Sequence, residues 1–148
     1  MATKNSIAAS IGDIIQINYE RMTAFDKASR LATDQELKNY FEARADESEQ
    51  HIEQLQTLFS GVATPAGASG RKAFLPACKI FDNALYLKKI PVLIESARCV
   101  EKHMMEWYQK LLEGLTNLPS EIVLLLRRQL ENDRNGQLRL KHLKTAFS

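Results

Sequence analysis

The residues best placed to do chemistry are Ser48 and His51, three apart in the stretch ELKNYFEARADESEQHIEQLQTLF from Glu36 to Phe59. Apolar side chains recur there at Leu37, Phe41, Ala45, Ile52, Leu55, Leu58 and Phe59, a spacing near the helical period of about 3.6. Ser48 and His51 fall on the same side as Phe41, Ala45 and Leu55, where a packed helix normally keeps only hydrocarbon. Glu47 is one turn before His51 at i,i+4, and three other helical patterns interrupt their apolar seams in the same way: Asn18 with Glu20 alongside, Glu101, and Gln129 with Asp133. An interior polar layer of Asn18, Ser48, His51, Glu101, Gln129 and Asp133 is therefore expected. An imidazole among carboxylates can ligate a metal ion, and His51, Glu101 and Asp133, with Glu47 or Glu20 brought in by rotation, would make one mononuclear site for iron, manganese or zinc. The competing chemistry uses no cofactor. His51 would donate to Glu101, Asn18 or Gln129 would complete the bonding, and the layer would be a satisfied polar network. That cofactor-free network is the main expectation and metal the alternative.

The elements that must position these groups are helices. Residues 6 to 31 place Ile7, Ile11, Ile14, Asn18, Arg21 or Met22, Phe25 and Ala28 on one face, with Ser6 as the expected cap. Thr33 and Glu36 have the spacing of a capping box for the second helix, and so short a link makes the two helices antiparallel neighbours. GVATPAGASG, Gly61 to Gly70, reads as a loop, and Arg71 to Leu85 as a short helix that Pro76 need not break. Pro91 belongs in the first turn of the next long helix, which runs to Glu113 with Gly114 as its cap. Its packing face is Ile94, Ala97 or Arg98, Glu101, Met104 or Met105, Tyr108, Leu112 and Leu115. LPSE at 118–121 opens the last helix, with a seam of Ile122, Leu125, Leu126, Gln129, Asp133, Gly136, Leu140 and Leu143. Gly136 inside it costs about 1 kcal/mol against Ala and points to a bend or a close neighbour. The expected architecture is all-α, an up-down four-helix bundle with an additional short helix in the long connection between the second and third long helices.

With 148 residues the chain is expected to form one domain, residues 1–148, with a core that needs no staples. A net charge of +2 argues against a nucleic-acid partner. The beginning, MATKNSIAAS, lacks the apolar run of a signal peptide and no stretch has the length of a membrane span, so no integral membrane association and a cytoplasmic location are expected. Cys78 and Cys99 are too far apart for a CxxC element and read as buried free thiols. No phosphate loop or Ser-His-Asp nucleophile pattern is present. Met104, Met105, Trp107 and Tyr108 make a band broader than one stripe buries, which suggests either an interface using Trp107, Tyr108 and Met104 or local cover by the short helix.

Four segments, IGDIIQINYERMTAFDKAS, LKNYFEARADESEQHIEQLQTL, IESARCVEKHMMEWYQKLLE and LPSEIVLLLRRQLENDRNGQLRLKHLKT, together resemble a bacterial family of ferritin-like bundles classed as a domain of unknown function and typified by a Pseudomonas protein. Its recurring features match at Asn18, Arg21, Ala45, Ser48, His51, Glu101 and Tyr108. The chain departs from it at Lys102, where relatives carry a second acid, and a histidine follows at His103. The resemblance implies a ferritin-like fold and no activity. A two-metal centre of that fold takes a Glu from each of two helices and Glu-x-x-His from each of the other two. Here the second helix reads Ser48-x-x-His51 and the last reads Glu131-x-x-Arg134, so about half of those ligands are missing. The expected function is that of a non-enzymatic bundle, self-associating or protein-binding. The alternative is a ferritin-like metal-binding protein or oxidoreductase with a degenerate iron or manganese site.

Overall fold

The apolar stripes fold into five helices: α1 (Lys4–Leu31), α2 (Gln35–Leu58), α3 (Ala68–Leu87), α4 (Ile90–Gly114) and α5 (Ser120–Ala146). The computed structural model describes residues 4–58, 68–87, 89–114 and 118–147, with side chains from residue 7 and, within α3, from residue 76. Among these there is no strand, and the arrangement is an up-down ferritin-like bundle with α3 inserted. α1 packs on α2, α3 and α4, while α5 closes the ring against α2 and α4. α3 lies on the pair α1 and α4, outside the ring of four. No described helix is long and apolar enough to cross a membrane.

Local chemistry explains the boundaries. Asp34 starts α2, since its Oδ1 accepts the Leu37 N–H at 3.0 Å and its carbonyl accepts the Lys38 N–H at 2.9 Å. The expected cap at Thr33 is displaced by one residue because the carboxylate is the stronger acceptor for an unbonded helix-end N–H. Ser6 lies inside α1 rather than at its start. Pro91 sits in the first turn of α4, where its missing N–H would have no helical partner anyway. α3 continues through Pro76 and begins at Ala68, so Ala68–Gly70, read as loop, are helical. The remainder of that loop, together with the expected packing of Phe59 and Leu115, lies outside the described residues.

α3 is fixed to the bundle by aromatic packing. Phe25 of α1 meets Phe41 of α2 at 5.2 Å between ring centroids and Phe81 of α3 at 5.1 Å, and Phe41 meets Phe81 at 5.5 Å. All three rings are fully buried, and each tilted pair contributes about 0.5–1.5 kcal/mol beyond the area it hides. The apolar seam runs the length of the ring through Ile11, Ile14, Leu55, Leu126 and Leu140. Its largest interruption among the described residues is a layer where all four ring helices turn polar side chains inward.

Candidate metal centre

Helical spacing brings the polar groups to one depth. α1 supplies Asn18 and Arg21, α2 supplies Arg44, Glu47, Ser48 and His51, α4 supplies Glu101 and Tyr108, and α5 supplies Gln129 and Asp133. Apart from Glu47, whose side chain is 24 % exposed, all of them are buried. The layer has two halves.

In the first half, two guanidiniums face two carboxylates. Arg21 Nη1 donates to Asp133 Oδ1 at 2.8 Å and to both oxygens of Glu101 at 3.2 and 3.3 Å, while its Nε donates to Ser48 Oγ at 2.6 Å. Arg44 Nη2 donates to Asp133 Oδ1 at 2.9 Å and Glu101 Oε2 at 3.0 Å, and its Nη1 donates to Glu47 Oε2. Burial alone would lower the pKa of each guanidinium, but the charges of Asp133 and Glu101 outweigh it and hold both above the ordinary arginine value. Gly136, one turn beyond Asp133, makes room for Arg44, for a Cβ there would overlap the guanidinium and stand 2.8 Å from Nη1. The close neighbour expected at Gly136 is thus this side chain.

In the second half, an amide, a phenol and an imidazole are strung together. Asn18 Nδ2 donates to the Tyr108 hydroxyl at 2.9 Å, the Tyr108 hydroxyl donates to Gln129 Oε1 at 2.6 Å, and Gln129 Nε2 donates to the His51 carbonyl at 3.2 Å. His51 Nδ1 lies 3.3 Å from Asn18 Oδ1 and 3.5 Å from the Tyr108 hydroxyl. Burial, reinforced by the charges of Arg21 and Arg44, pushes the His51 pKa down to about 2, so the ring is neutral and retains a lone pair. Burial likewise raises the Tyr108 hydroxyl well above the usual phenol range. Tyr108→Phe is expected to cost about 1–3 kcal/mol, because Gln129 Oε1 and Asn18 Nδ2 each lose a buried partner. Chemical denaturation measures the loss, and an undiminished midpoint would show that the string does not support the fold.

Three buried atoms of the layer have no hydrogen-bond partner, Arg44 Nε, His51 Nε2 and Asp133 Oδ2, and of these the last two can accept. Glu47 Oε1 stands 3.7 Å from His51 Nε2, too far for a hydrogen bond. Glu47, His51 and Asp133 each offer a ligand atom within 4.8 Å of the others, which is the spacing at which a cation can be shared. The expectation of an interior without a cofactor is corrected by this group, since a buried, neutral imidazole and a buried carboxylate oxygen left unbonded are the donors a metal ion takes. Burial raises the Glu47 pKa against the lowering influence of Arg44 and Arg21.

The structure sorts the expected ligands. His51, Asp133 and Glu47 converge, whereas Glu101 is committed to Arg21 and Arg44, and Glu20 lies half-buried on α1 accepting from Gln16 Nε2 at 2.9 Å. His51 does not donate to Glu101 as expected, because the guanidiniums have taken both carboxylate oxygens. Asn18, Ser48, His51, Glu101, Gln129 and Asp133 do share the layer. Arg44 was missed, although its place three residues after Phe41 and four before Ser48 marks it as inward-facing. The interface reading is corrected for two of its residues: Met104 and Tyr108 are fully buried within the chain, and Trp107 packs partly on the core with Lys110 over its ring. His103 and Glu106 form a long exposed pair, 4.0 Å apart, and Cys78 and Cys99 are free and half-buried. Compared with protein-family models, with curated proteins and with solved structures, the chain matches none.

Proposed function

We propose that this chain is a ferritin-like metal-binding protein that holds one divalent first-row transition ion, iron, manganese or zinc, on Glu47, His51 and Asp133. The observation that carries the reading is the pair of buried, unbonded donor atoms, His51 Nε2 and Asp133 Oδ2, beside the partly buried carboxyl of Glu47. One imidazole with two carboxylates is a borderline-to-hard donor set, suited to those ions and ill suited to copper(I). Glu101 is excluded from the ligand set because releasing it would leave two buried guanidiniums short of counter-charge. Kinship with the bacterial family that the sequence resembles belongs to the same reading, supported by Asn18, Arg21, Ser48, His51, Glu101 and Tyr108 all lying in the one layer.

Protein purified without a histidine tag and dialysed after supplementation is expected to retain about one ion per chain, and His51→Ala to retain none. Elemental analysis decides it, and wild-type protein that keeps no metal after supplementation would overturn the reading. Self-association is a second reading, supported by Ile80, Tyr86 and Leu87, which α3 leaves 60 %, 65 % and 59 % exposed. Sedimentation equilibrium tests it, a monomer at high concentration counting against it.

A further inference from the structure

Three carboxylates converge on Arg44. Its Nη2 is shared by Glu101 Oε2 at 3.0 Å and Asp133 Oδ1 at 2.9 Å, and its Nη1 is held by Glu47 Oε2. Two of these acids, Glu47 and Asp133, are also members of the proposed metal group, and each has its other oxygen on the His51 side: Glu47 Oε1 lies 3.7 Å from His51 Nε2, and Asp133 Oδ2 is unbonded. Each of these two carboxylates therefore faces two cation positions, one per oxygen. A guanidinium fills the first, and the second faces His51 Nε2 for Glu47 and carries no hydrogen bond for Asp133.

We infer that Arg44 is a resident cation that bridges Glu47 and Asp133 in the place a second metal ion would take, and that it sets the affinity of the neighbouring metal site by competing for the same carboxylates. This rests on the proposed metal site. Gly136 supports the role of Arg44 independently, because the absent Cβ makes a space that the Arg44 guanidinium fills. Charge explains why one ion rather than two is accommodated. Arg21 and Arg44 are balanced by Glu101 and Asp133, which leaves Glu47 alone to offset a bound ion. Removing the Arg44 charge frees Glu47 Oε2, while Glu101 Oε2 and Asp133 Oδ1 keep Arg21, and it raises the uncompensated negative charge beside His51 from one to two, so a single ion binds more tightly.

The test uses the wild type, Arg44→Met, Arg44→Gln and, as a control, Arg134→Met, a half-exposed arginine on α5 paired with Glu131. Zn2+ is titrated calorimetrically, counting the part of the signal that His51→Ala abolishes in each background. Zn2+ is expected to bind Arg44→Met and Arg44→Gln at least tenfold more tightly than wild type, at one ion per chain, with Arg134→Met unchanged. Equal or weaker binding by folded Arg44 variants would overturn the inference while leaving the metal site standing. Zn2+ bound by the Arg44 variants but not by wild type would do the reverse, removing the proposed function and supporting the role of Arg44. Should either variant be unfolded without metal, Zn2+ is expected to restore its helical circular dichroism, and failure to do so overturns the inference.

Discussion

Arg21→Ala is expected to lower the unfolding free energy by about 3–5 kcal/mol, the cost of stranding a buried charge after its partner is removed. Arg21 serves both Glu101 and Asp133 and also bonds Ser48, and none of the four side chains reaches solvent. Arg44 alone cannot replace it, because Arg44 Nη1 is already held by Glu47. Ala is the best helix former, so none of the loss can be attributed to α1 itself. Against a typical domain stability of about 5–15 kcal/mol, the variant would sit near the edge of folding. Arg21→Lys should recover little, since the single nitrogen of an ammonium cannot serve the Ser48 hydroxyl and two carboxylates in the fork geometry of a guanidinium. Urea denaturation of both variants measures this, and a loss below about 1 kcal/mol would mean that the layer is hydrated rather than dry.

Gly136→Ala is expected to destabilise by about 2–4 kcal/mol, against the ordinary rule for a helix interior. The backbone gains about 1 kcal/mol from the exchange, but the new Cβ occupies the space of the Arg44 guanidinium and forces apart its bonds to Glu101 and Asp133, worth about 3–5 kcal/mol when broken on one side. The decisive comparison is the same exchange in an Arg44→Ala background. There the obstacle is gone, and Gly136→Ala should become neutral or stabilising. If the cost were the same in both backgrounds, the glycine would be required by something other than Arg44.

Most of the fold was legible because it is carried by period and punctuation. The stripe Phe41, Ala45, Leu55 and the prolines at 91 and 119 settle where α2 faces and where α4 and α5 begin. Thr33 was read as the cap from its spacing to Glu36, whereas the Asp34 carboxylate is the group that accepts the Leu37 N–H. The site was legible in its members and not in its wiring. Ser48 and His51 show as polar residues in an apolar row, but the row does not say which cation claims Glu101. Arg44 was passed over since an arginine within a helix is usually solvated, and its burial depends on acids 57 and 89 residues away. Tyr108 was ambiguous for a related reason: it adjoins Trp107, and one of the two had to leave the core.

The arrangement also bears on the order in which the chain can settle as it is synthesised. Both buried guanidiniums ride on the first two helices, whereas Glu101 arrives on α4 and Asp133, 112 residues after Arg21, on α5. Drying a charge without its partner costs several kcal/mol, so the α1–α2 hairpin has to keep its arginines in water while the rest of the chain emerges. Exclusion of water from the middle of the bundle is thereby deferred to the last helix. A one-turn slip of that helix, about 5.4 Å, would part every ion pair it makes. The acid that completes the layer thus works as a latch, closing late and in one position.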